Sequence, residues 1–61
     1  MEEYNRLREL VESAMDDVQK AVGGNKAAGT RVRKIMQDIK SAAQEVRKKI
    51  LEQRSGEEQQ Q

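Results

Sequence analysis

Five basic residues recur at every seventh position in the second half of the chain: Lys26, Arg33, Lys40, Arg47 and Arg54. On a helix this spacing draws one stripe along a single side, drifting by only about 20° per heptad. Lys34 and Lys48 lie one step round on the same side, whereas Arg31 and Lys49 face further round, near Asp38, Glu45 and Glu52. A row of fixed cations suits a polyanion. Each phosphate it neutralises releases counterions, which adds affinity without any dependence on base sequence. The same row has a plainer use as the outer positions of a helical bundle, paired with Glu9, Glu12, Asp16 and Asp17 of a neighbouring helix. Nothing here forms a base-reading set: Tyr4 is the one aromatic residue, and Asn25 is better placed as a helix cap. Contact with nucleic acid would therefore run through the phosphate backbone.

Other chemistry is poorly provided for. The sequence has no histidine and no cysteine, which excludes a histidine-based triad, disulfides, and thiolate or imidazole metal sites. Ser13 and Ser41 have no evident base, and the adjacent acids Asp16-Asp17 and Glu57-Glu58 would diverge on a helix. Gly23-Gly24-Asn25-Lys26 is glycine-rich and precedes a helix, so its free N–H groups could meet a phosphate. It lacks the phosphate-loop spacing and a preceding strand. No enzyme activity, cofactor or metal is expected.

The elements that must carry the stripe are legible in the apolar spacing. Tyr4, Leu7, Val11, Ala14, Val18 and Ala21 are separated by alternating gaps of three and four, the signature of an amphipathic helix. Leu10, Met15 and Val22 widen this face, and Glu2 and Glu3 suit the positive end of the helix dipole. A helix is expected over about 2–22. Gly23-Gly24-Asn25 ends it, with paired glycines as the stop and Asn25 as the cap of the second helix. Ala28, Val32, Ile35, Ile39, Ala42 and Val46 repeat the alternation, which places that second helix over about 26–54. Gly29 and Thr30 are its weak points, and a start at Thr30 is the alternative. So short a connector implies an antiparallel hairpin. The tail 55–61 is polar and aperiodic, and it is expected to be disordered.

The expected fold class is all-α: a two-helix antiparallel hairpin that dimerises into a four-helix arrangement. With 61 residues there is one thin core, of the kind that rarely supplies more than about 3–5 kcal/mol. Without disulfides or metal, self-association is the remaining support. The longer second helix should overhang by about 12 Å and leave Val46, Ile50 and Leu51 uncovered. Leu7, Val11, Val18, Val32, Ile35, Ile39, Val46 and Ile50 are the expected oligomer interface.

A net charge of +1 hides a division: residues 1–25 carry three basic and six acidic side chains, and residues 26–54 carry nine and three. Such asymmetry points to a polyanion partner or to a helix pair that neutralises itself. No basic start followed by an apolar run suggests a signal peptide, and no uncharged run approaches a membrane span. A cytoplasmic location is expected. A helix-pairing adaptor that ignores nucleic acid is the first rival reading. A membrane-surface helix is the second, weakened by the lack of Trp and Phe.

Residues 24–34, Gly-Asn-Lys-Ala-Ala-Gly-Thr-Arg-Val-Arg-Lys, resemble the core of the bacterial histone-like family first known from chlamydiae, whose members look like short relatives of linker histones. The pattern is an acidic amphipathic helix, a Gly-Asn-Lys-Ala-Ala segment and an Arg-x-Arg-rich helix, here over roughly residues 4–54. The resemblance implies binding and compaction of double-stranded DNA without strong sequence preference, in the nucleoid. Its matching basic positions are Lys26, Arg31, Arg33 and Lys34. The stripe adds Lys40, Arg47, Lys48 and Arg54 as expected DNA contacts. Many such proteins continue into a lysine- and alanine-rich tail. The glutamate and glutamine residues here make bridging or coating by an oligomer the expected mode.

Overall fold

The computed structural model describes residues 1–54, so the tail expected to be disordered lies outside the described residues. Three helices follow one another: α1 over Glu2–Ser13, α2 over Met15–Val22 and α3 over Lys26–Arg54. α1 and α2 form one bent arm, and both pack against α3. The result is a long two-helix layer with extents of 49 × 17 × 13 Å.

The single first helix expected from the periodicity is interrupted at Ala14. In an unbroken helix the Ala14 N–H would donate to the Leu10 carbonyl. The Ser13 hydroxyl donates to that carbonyl instead, at 2.8 Å. The Ala14 N–H turns to the Val11 carbonyl at 3.2 Å, one residue short of the α-helical partner. Serine in mid-helix competes with the backbone in this way and bends helices. The helical ladder resumes at once, with Val18 N–H donating to the Ala14 carbonyl at 2.9 Å.

The connector finishes one helix and starts the next. Asn25 N–H donates to the Lys20 carbonyl and Gly24 N–H to the Ala21 carbonyl, both at 3.0 Å. This pair of bonds is a Schellman stop, which needs a left-handed residue at its penultimate position. Gly24 occupies that position with φ of 103°. Asn25 then caps α3, its Oδ1 accepting from the Ala28 N–H at 2.9 Å. α3 therefore begins at Lys26 rather than Thr30, whose hydroxyl donates back to the Lys26 carbonyl at 3.4 Å.

The seam between the arms closes on small side chains. Ala14, Ala28 and Ala42 are the buried apolar residues, and no large side chain is fully buried. Leu7, Leu10, Val18, Val32, Ile35, Ile39 and Val46 are half-buried around them. Alanine at the contact lets the helices approach closely and places the larger residues at the seam's edges. Val46 is covered rather than overhanging, because α1 reaches it: Glu3 Oε2 lies 4.0 Å from Lys49 Nζ. The uncovered end of α3 is thus confined to the turn beginning at Ile50, with Leu51 63% exposed.

Candidate nucleic-acid interface

The two faces of the layer differ. One is closed by ion pairs. Arg31 meets Asp17 in a two-pronged contact, Nε to Oδ2 at 3.1 Å and Nη2 to Oδ1 at 2.9 Å, and Glu3 meets Lys49 at the far end. The Arg31 guanidinium donates to the Asp17 carboxyl and holds its pKa below the usual carboxylate value, while Arg31 is raised by the same contact. Arg31, expected to contact DNA, is therefore engaged in joining the arms.

The opposite face is open and apolar. Tyr4, Val11, Met15 and Val22 on the first arm, and Met36 on α3, are all exposed. A shallow groove runs between them over Val18 and Ile39. Of the residues expected at an oligomer interface, Leu7, Val18, Val32, Ile35, Ile39 and Val46 are half-buried at or beside the seam within one chain. Val11 and Ile50 are the exposed ones. Tyr4, Met15, Val22 and Met36 were not among the residues expected at an interface, and they are exposed on this same face.

The basic stripe borders this open face. Lys26, Arg33, Lys40 and Arg47 each precede by three residues a member of the row Gly29, Met36, Ala43 and Ile50, so the two rows are neighbours on α3. Lys26, Arg33, Lys34 and Lys40 are exposed and form no ion pair among the described residues. Arg47 donates to Gln44 Oε1 at 2.7 Å, and Lys48 lies 3.8 Å from Glu45. Both remain exposed. Arg54 is the last residue of α3. Pairing with the first arm thus falls to Arg31 and Lys49, outside the stripe, and Glu12 is taken by Arg8 on its own helix at 3.5 Å.

Among the described residues, no polar side chain is buried and no cluster of acids could hold a metal. No helix is long and apolar enough to cross a membrane. The arrangement is that of a small helical hairpin with a cationic edge beside an open apolar face. The family model described as histone H1-like protein Hc1 matches residues 1–56, and the chain belongs to this histone-like family. Comparisons with curated proteins and with solved structures returned no match.

Proposed function

We propose that this protein binds double-stranded DNA through the phosphate backbone, without sequence selectivity, as a self-associating component of the bacterial nucleoid. The observation that carries the reading is the row Lys26, Arg33 and Lys40, exposed and without ion pairs among the described residues, in a chain of the histone H1-like family. Seven helical residues advance about 10.5 Å. Along one strand of duplex DNA that is about three phosphates. Successive cations of the ridge can therefore each serve a separate phosphate, with Arg47, Lys48, Lys34 and Arg54 extending the contact.

Backbone contacts position a protein and carry no base information, which fits a ridge of ammonium and guanidinium groups with no stacking platform. A homodimer would present two ridges, and linking them raises avidity with no new kind of contact. A helical adaptor that binds other proteins is the second reading, favoured by the open apolar face. The two separate by fluorescence anisotropy on random-sequence duplex DNA over a salt series. Backbone binding gives a steep, sequence-independent loss of affinity with salt. No binding at low salt would leave the adaptor.

A further inference from the structure

The open face carries one row of side chains from each arm. Tyr4, Val11, Met15 and Val22 stand on the first arm, and Val22 is 85% exposed. Gly29, Met36, Ala43 and Ile50 follow one another on α3 at heptad spacing. The ion pairs Asp17–Arg31 and Glu3–Lys49 set the level of one row against the other. Val22 lies level with Gly29, Met15 with Met36, and Tyr4 between Ala43 and Ile50. A Cβ built on Gly29 meets nothing within 4 Å and its backbone is not left-handed, so the hairpin itself does not require glycine there. In a helix interior, glycine costs about 0.5–1 kcal/mol relative to alanine.

We propose that this face seats a second copy of the chain with both turns at the same end, so that α3 of each copy lies against the α1–α2 arm of the other. This arrangement gives a surface and a geometry to the self-association in the reading above, on which it rests, and it does not depend on DNA binding. Two identical layers with aligned helices meet through one face in two ways. Rotation about an axis along the helices exchanges the arms and keeps the turns together. Rotation about an axis across the helices exchanges the ends and lays each arm on its own counterpart.

Charge separates the two. Residues 1–25 carry an excess of acids and residues 26–54 an excess of bases. With the ends exchanged, α3 on α3 presses two basic ridges together, and Lys40, at the middle of α3, meets its own counterpart. With the arms exchanged, each ridge runs beside the acidic arm of the other copy, where Glu12 and Asp16 come level with Lys40 and Arg33. Side-chain volumes agree with the second arrangement, because exchange of the arms keeps every level. Val22 then faces Gly29 of the other copy and fills the space that its missing side chain leaves. Tyr4 lies over Ala43 beside Ile50, and Met15 meets Met36. The size also fits. A layer 49 Å long and 17 Å wide offers about 800 Å² of face, the share one partner contributes to an interface of standard size. The two ridges then run along opposite edges of the four-helix bundle.

The natural chain has no cysteine, so single cysteines report contacts cleanly. Val22→Cys, Lys26→Cys and Lys40→Cys proteins are prepared separately and treated with a short bis-maleimide, without DNA. Val22 of one copy lies beside Lys26 of the other across the joined arms, so mixing those two variants should give a covalent dimer, with little from either alone. Lys40→Cys should not link to itself, because the two ridges lie on opposite edges. Self-linking at Lys40 with no product from the Val22 and Lys26 mixture is the signature of exchanged ends and overturns the arrangement. Sedimentation equilibrium of the natural chain should show a dimer. A monomer at every concentration overturns the arrangement outright, whereas the salt series on duplex DNA decides the DNA reading separately. Met15→Lys with Met36→Lys should weaken association by about tenfold or more with helicity kept. Unchanged association would place the contact on another face. Gly29→Leu, which finds open space in a single hairpin, should also weaken association, and an undiminished dimer would contradict the seating of Val22.

Discussion

Replacing Arg33 and Lys40 by glutamine removes the centre of the ridge and leaves the hairpin intact. Both side chains are exposed and neither forms an ion pair among the described residues. Glutamine matches them closely in helix propensity. If Lys26, Arg33, Lys40 and Arg47 each neutralise one phosphate, log affinity falls with log salt at a slope of about −3.6 per engaged copy. The double variant should show about −1.8. Between about 50 and 200 mM salt, the natural chain then loses about 150-fold in affinity and the variant about 12-fold. Anisotropy on a labelled random duplex reads both slopes, and circular dichroism confirms that helicity is unchanged. The control is Arg31→Gln with Lys49→Gln, which removes the same charge from the paired face. It should leave the slope close to the natural value. A ridge variant with an undiminished slope, or a control that lowers it equally, would refute the assignment: the attraction would then follow net charge and not the stripe.

The turn supplies three further expectations, read by chemical denaturation. Gly24→Ala should cost about 1–2 kcal/mol, because an L side chain is strained in the left-handed region. Gly23→Ala should be near neutral, since its Cβ would meet the Lys20 and Gln19 carbonyls at ordinary contact distances of 3.5 and 3.6 Å. Asn25→Ala removes the bond to the Ala28 N–H and should cost about 1 kcal/mol. The Asp17–Arg31 contact should show itself through pH. Asp17 has a lowered pKa in the folded chain, so its contribution is present above the ordinary carboxylate range and disappears as pH falls through the lowered value. Urea midpoints should therefore favour the natural chain over Asp17→Asn at neutral pH and converge in acid. A gap that persists in acid would remove the ion pair as its cause.

Much of this architecture is legible in the residues because the two dominant signals are local. Alternating gaps of three and four mark each arm, and Gly23-Gly24-Asn25 carries both a helix stop and a helix cap. The interruption at Ala14 was not legible. It turns on whether the Ser13 hydroxyl reaches the Leu10 carbonyl, and a serine in a helical pattern does not declare that. The site was legible in part. Helical phase already set Arg31 and Lys49 apart from the stripe, but only the folded chain shows them holding Asp17 and Glu3. The apolar stripe was too broad to reveal which half closes the hairpin. Leu7 and Val18 lie at the seam with Ala14, while Tyr4, Val11, Met15 and Val22 face outward, all within one continuous pattern.

The compact connector also dictates the order in which the chain can assemble. Asn25 closes α2 and opens α3, so the arms meet first beside it. The Asp17–Arg31 contact spans only 14 residues, and Glu3–Lys49 closes the largest loop among the ion pairs of the described residues. Each later contact extends a loop already drawn together, and the added closure entropy grows only slowly with length. Such low contact order belongs to proteins that fold in microseconds to milliseconds. The hairpin should close from the turn outward and open in reverse. Amide exchange would record this as protection that fades from the Val18 and Val32 region toward Glu3 and Lys49.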